Sequence, residues 1–198
     1  MRVKTDARRK AIVDAAWEMF KAGGFERTSM SEISERVGGS KATLYSYFKS
    51  KDELFAAAME QAVRERLDDA LNRTGEPGDL RARLMDFAGT YLEMRLDPDM
   101  IGADRALIAQ SDQSDLGMVL LRRFVIPQWE RLAASLELEM EGDGLRRAPP
   151  YQAAMHLRGL VESDLLERRL HGDRSISAME VETAVTAGVD AFLRAYAR

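Results

Sequence analysis

The chain has 198 residues, 45% of them apolar and 31% charged, with a formal net charge of -4, which is the composition of a folded globular chain rather than a disordered one. No apolar run approaches the roughly 20 residues that a bilayer-crossing helix needs, and the basic start MRVKTDARRK leads into an amphipathic pattern rather than a leader's continuous apolar stretch. Cysteine is absent, which excludes disulfides and thiolate metal sites and suits a cytoplasmic location.

The net charge conceals an asymmetry. Residues 1–51 carry 11 Lys and Arg against 6 Asp and Glu, while the rest carry 18 against 27. All six lysines (Lys4, Lys10, Lys21, Lys41, Lys49 and Lys51) fall in the first part. A basic head on an acidic body suits a chain that meets a polyanion with one end only.

Strand signals are nearly absent and apolar residues recur at helical spacing, so the pattern predicts an all-α fold. A first helix is expected over about 6–22, closed by Gly23-Gly24. Start signals then become dense. Ser29-x-x-Glu32 and Ser50-x-x-Glu53 are capping boxes, and Ser40 is a cap between them. They predict short helices at about 30–37 and 41–47 around a Gly38-Gly39 turn, then a long helix over about 51–72. Gly75, Pro77 and Gly78 mark a break. Beyond it, helices are expected at about 79–96, 100–110, 115–140, 150–171 and 177–197. Pro127 should kink the third of these, and Ser177-x-x-Glu180 opens the last.

Two short helices joined by a glycine turn at about 30–48 make a helix-turn-helix. Ile33, Val37, Leu44 and Phe48 supply its buried contacts, with the first long helix as third wall. With Leu44 and Phe48 inward, a rotation of about 100° per residue turns Ala42, Tyr45 and Ser46 outward, with Lys41 at the edge of that arc. Lys41 can donate to guanine O6 or N7, and the Ala42 methyl can meet a thymine methyl. Tyr45 can pack on base edges. Thr43 and Tyr47 flank this face and are better placed for phosphate oxygens, and the cap Ser40 belongs with the same DNA-binding set. The helix starting near Lys51 offers free N–H groups and a charge to an anion, and Thr28 or Ser29 can do the same one helix earlier.

The segment from Arg9 to Phe55, with the string AIVDAAWEMFKAGGFERTSMSEISERVGGSKATLYSYFKSKDELF, resembles the DNA-binding head of the tetracycline-repressor (TetR/AcrR-type) family. It covers about a quarter of the chain, and the GF, TS, VG and TLYSYFKSKDELF elements recur in order. The family pattern carries an apolar residue where this chain has Gly39, which implies a missing packing contact in the turn. The resemblance implies a three-helix DNA-binding domain over 1–51 and a helical bundle over 52–198 for ligand binding and dimerisation. It also implies a homodimeric repressor of a near-palindromic operator in double-stranded DNA, released by a small-molecule effector.

Residue patterns in the body suit those roles. Stripes of Leu157, Leu160, Val161 and Leu165 on one helix and Val185, Val189, Phe192 and Tyr196 on the next are candidates for a four-helix dimer interface. Phe87, Tyr91, Met94, Met118, Phe124, Trp129 and Met155 are candidates for an adaptable apolar pocket, with Arg105, His156 or Glu162 as its polar group. Both sets are also readable as ordinary core. Catalysis lacks components: two histidines without metal-ligand spacing leave no credible metal site, and no cofactor motif occurs. A constitutive DNA-binding or co-regulator protein stays open as the alternative, and an all-α enzyme is the least supported.

Overall fold

Hydroxyl caps, those of Thr5, Ser29, Ser40 and Ser50, fix where the helices of the head begin. The computed structural model describes residues 5–112, 114–142 and 144–198, and among them every regular element is helical. In chain order these are α1 (Asp6–Gly23), α2 (Met30–Arg36), α3 (Lys41–Tyr47), α4 (Lys51–Thr74), α5 (Leu80–Leu96), α6 (Pro98–Ala109), α7 (Leu116–Leu120), α8 (Ile126–Glu141), α9 (Pro150–Glu162), α10 (Leu165–Leu170) and α11 (Ala178–Tyr196). Ser29 and Ser177 form complete capping boxes with Glu32 and Glu180. At α4 the reach-back differs by one residue: the Ser50 hydroxyl accepts the Glu53 N–H at 3.0 Å, but the Glu53 carboxylate accepts the N–H of Lys49, at 2.7 Å.

Two helices expected to be continuous are each interrupted. Over 115–140 the chain forms α7, a wide π-helical turn at Leu121–Val125, and α8. Pro127 is the second residue of α8, and it has no N–H for the carbonyl four residues earlier. The irregularity expected as a kink is taken up by that wider turn. Over 150–171, α9 stops at Glu162 because Ser163 adopts φ 48° and ψ -130°, a conformation unfavourable for a residue with a Cβ.

The chain divides into two compact units. One gathers the described residues of Met1–Glu65 with Gly102–Leu120, the other Arg66–Ile101 with Leu121–Arg198. In the first, the rings of Phe20, Phe25 and Phe55 meet at centroid distances of 4.9 to 5.9 Å. Ile12, Ile33, Leu44 and Phe48 are fully buried around the helix-turn-helix. Gln110, just past α6, donates to the Glu26 carboxylate in the α1–α2 loop.

In the second unit α11 packs on α9 and α5, and α9 on α8. The α9–α11 crossing is close, because a Cβ added at Gly188 would stand 2.8 Å from the Leu160 carbonyl oxygen. This packing corrects the expected dimer face. Leu157, Val161, Leu165, Val185, Val189, Phe192 and Tyr196 are buried within the single chain, and of the expected set Leu160 alone is exposed, at 40%. An apolar stripe at helical period reports that a face is covered, not whether the cover is the same chain or another. Among the described residues no helix is long and apolar enough to cross a membrane.

Candidate nucleic-acid interface

The turn between α2 and α3 is built by backbone hydrogen bonds. Gly38 N–H donates to Glu35 O and Gly39 N–H to Ser34 O, both at 3.0 Å, with Gly38 at φ 64°. This is a Schellman closure of α2, and the left-handed conformation it needs is the one glycine adopts without steric penalty. Ser40 then starts α3: its hydroxyl accepts from Thr43 N–H at 3.1 Å and lies 2.9 Å from the Thr43 hydroxyl.

Phe48 and Leu44, 1% and 2% exposed, anchor the inner side of α3. The opposite side is open. Lys41, Ala42, Tyr45 and Ser46 are exposed, Tyr45 to 47%, and these are the residues read from the sequence as the reading face. The Ser46 hydroxyl already donates to Thr43 O at 2.7 Å, which leaves its oxygen lone pairs to a partner. Tyr47 is half-buried, and its hydroxyl accepts from Thr5 N–H at 3.1 Å. Ser29 is exposed and caps α2.

Two residues expected to contact phosphate have hydrogen-bond partners within the chain. Thr28 is 5% exposed and its hydroxyl donates to Gly24 O at 2.9 Å, so its one proton is committed to the α1–α2 loop. Lys51 sends its ammonium to Phe25 O at 2.9 Å and lies 4.2 Å from the Phe25 ring centroid. Acidic side chains Asp52 and Glu53 occupy the first turn of α4. That is the end of a helix where its dipole favours acidic side chains.

The expected pocket residues fall in different places. Phe87, Tyr91 and Trp129 form one ring cluster in the second unit, with Tyr91 and Trp129 centroids 4.9 Å apart and edge-on. Met94 and Phe124 are buried and Met155 is half-buried. Met118 belongs to the first unit and is 47% exposed, and Arg105 is exposed. The Tyr91 hydroxyl donates to Glu162, which also accepts from Arg158 Nε at 2.9 Å, and Arg158 lies over the Trp129 ring. Burial, and then the Glu162 carboxylate, push the Tyr91 phenol above its ordinary range. Arg158 was not singled out from the sequence, although its spacing of four from Glu162 is the signal of a helical ion pair. His156 is tied to the Tyr196 hydroxyl at 2.7 Å, and His171 to Glu167 O at 2.8 Å. Among the described residues no group of three or more His, Asp or Glu stands close enough to hold a metal ion.

The geometry of α2 and α3 meets independent support from known proteins. Residues 12–58 match the model of bacterial regulatory proteins of the tetR family, and residues 82–198, more than half of the chain, match that of the AefR-like transcriptional repressor C-terminal domain. The chain belongs to the TetR family. It is a transcriptional regulator with an N-terminal helix-turn-helix and a C-terminal helical domain, and its relatives are DNA-binding regulators rather than enzymes.

Among TetR-family structures, a regulator from Mesorhizobium loti superposes with a TM-score of 0.86 at 24% identity over 100% of both chains. The flavonoid-responsive regulator FrrA superposes with a TM-score of 0.71 at 29% identity over 96% of this chain and 97% of its own. The transcriptional activator FasR of Mycolicibacterium smegmatis is 35% identical over 42% of this chain and 38% of its own length. The regulator BetI of Rhizobium meliloti is 30% identical over 65% and 62%. The chain thus spans less than two thirds of these curated relatives.

Proposed function

We propose that this TetR-family regulator acts as a homodimer that represses from a near-palindromic operator and is released by a small apolar or aromatic effector bound in its second unit. The observation that carries the DNA part is the open face of α3: Lys41, Ala42, Tyr45 and Ser46 stand out from a helix whose other side is fully buried. A helix of that width enters a major groove of about 12 Å. Ser29, Ser40, Thr43 and Tyr47 flank it for phosphate contacts.

Two helices presented by a two-fold dimer meet half-sites about 34–36 Å apart, or a multiple of that. For the dimer face we propose the outward residues of α9 and α11, among them Tyr151, Leu160 and Met179, which are 40%, 40% and 73% exposed. For the effector, the support is the buried ring cluster of Phe87, Tyr91 and Trp129 with the Glu162–Arg158 pair beside it, together with the likeness to a flavonoid-responsive protein. Rings and one charged pair suit a flat, hydroxylated aromatic molecule. A coupling of about 1–3 kcal/mol between effector and operator is enough to alter occupancy 5- to 150-fold.

The test is selection of a duplex from a randomised pool by the whole protein, followed by binding across salt and with a panel of hydroxylated aromatics. The expected result is a two-fold symmetric site whose affinity falls as salt rises and falls further with one of the aromatics. An asymmetric site, or affinity flat with salt, contradicts the reading of the head. Absence of any thermal shift with the panel contradicts the effector assignment and points the body toward a protein partner.

A further inference from the structure

We propose that Arg8 is a positioning residue for the reading helix, and that the glycine at 39 is the vacancy that admits its guanidinium. The proposal rests on the DNA-reading role of α3. Arg8 stands at the third position of α1, whose cap is Thr5, where the helix dipole favours an acid and disfavours a cation. Its place there is explained by what it touches on the neighbouring turn. Arg8 Nη2 donates to Gly38 O at 3.3 Å, and a Cβ added at Gly39 would stand 2.9 Å from the same nitrogen.

The position matters because Gly39 is the last residue of the Schellman closure of α2. In that motif the residue after the left-handed glycine commonly packs an apolar side chain back on the helix it closes. Gly39 has none to offer. The contact that the sequence shows as missing is replaced by a group from another helix, and the turn is braced rather than loosened.

Arg8 is one of three contacts that the first turn of α1 makes around α3. Thr5 N–H donates to the Tyr47 hydroxyl at 3.1 Å, and the Arg9 guanidinium lies 5.1 Å from the Phe48 ring centroid. Tyr47 and Phe48 are the last residue and the C-cap of α3, while Gly38 and Gly39 lie just before its N-cap, Ser40. The same turn of α1 therefore holds the reading helix at both ends. A rotation of a few degrees in α3 displaces Tyr45 and Lys41 relative to base edges, so Arg8 acts on recognition through the turn.

The arrangement makes a specific experiment available. The atom that a Cβ at 39 would meet is the far end of a flexible side chain, so Gly39→Ala evicts Arg8 without forcing the backbone. Gly39→Ala, Arg8→Ala and the double variant are compared for binding to the duplex recovered by the wild type from a randomised pool, and to unselected duplex, over a range of salt. Each single change is expected to lower affinity for the selected duplex about tenfold, and the double change is expected to be no worse than either. Binding to unselected duplex and the slope of log affinity against log salt should stay as in the wild type.

Additive losses, an unchanged affinity in both single variants, or a slope reduced by about one counterion in Arg8→Ala would overturn the proposal, the last by making Arg8 a phosphate contact. Thermal melting of the same four proteins reads the Arg8–Gly39 coupling without DNA. If the wild type recovers no duplex, the operator reading fails, while non-additive melting shifts still support the pairing and additive ones overturn it.

Discussion

Lys51 Nζ donates to the Phe25 carbonyl at 2.9 Å while lying 4.2 Å from the centroid of the same residue's ring. One ammonium thus fastens the first turn of α4 to the loop that follows α1, through a charge-assisted hydrogen bond and a cation–π contact at once. The two are worth about 1–3 kcal/mol together. Lys51→Met keeps the apolar stem and loses both. It is expected to lower the stability of the chain by an amount in that range, measured by chemical denaturation. The ammonium keeps its charge on a neutral carbonyl, so the salt dependence of DNA binding is a separate readout: a slope reduced by about one counterion in Lys51→Met would show that the same group also neutralises a phosphate.

Tyr45 carries the opposite expectation. Its ring is 47% exposed on the side of α3 away from the buried Leu44 and Phe48, so truncation leaves the fold intact. Tyr45→Ala should melt within a degree or two of the wild type. It should lose affinity for a selected duplex by about 1–3 kcal/mol while unselected duplex is held nearly as before. Equal losses on both duplexes would make Tyr45 a backbone contact and remove it from the reading set.

Gly188 marks a close approach between α9 and α11. A Cβ there would stand 2.8 Å from Leu160 O and 2.9 Å from Val161 N, both backbone atoms that no rotamer change can move. Gly188→Ala is therefore expected to force the two helices apart at a cost of about 1–3 kcal/mol, despite the better helix propensity of alanine. A Gly188→Ala chain as stable as the wild type in denaturant would show that the crossing has slack.

The head was legible in the sequence because its signals are local. Ser29, Ser40 and Ser50 each act on residues within four positions, and the alternation of Leu44 and Phe48 against Tyr45 and Ser46 is fixed by the pitch of one helix. What the sequence does not carry is the identity of the neighbour. Thr28 and Lys51 read as free polar groups until the Gly24 and Phe25 carbonyls are seen beside them. The valine and leucine stripes of α9 and α11 read as an interface or as core, and it is their mutual packing that makes them core. The break at Ser163 has no glycine or proline to announce it, and Arg8 is separated by about thirty residues from the turn it braces.

Asp173 offers a check on the second unit that depends on pH alone. Its carboxylate accepts from the Ser175 hydroxyl at 2.6 Å and the Ser175 N–H at 2.8 Å, and pairs with Arg168 Nη2 at 2.7 Å. Those donors favour the charged form and hold its pKa down to about 2, from an ordinary 3.8. The sign follows from the proton count. Between these two values the unfolded chain binds the proton and the folded one does not, so stability rises with pH across that window. The contribution is complete above the unfolded value and is lost as pH falls toward about 2. Glu180, lowered by the Ser177 backbone and hydroxyl and by Arg168, adds to the same trend. Asp173→Asn is expected to flatten the fall in melting temperature between pH 4 and pH 2 relative to wild type. A variant whose melting temperature falls as steeply as that of the wild type would mean that the Ser175 and Arg168 contacts are not kept in solution.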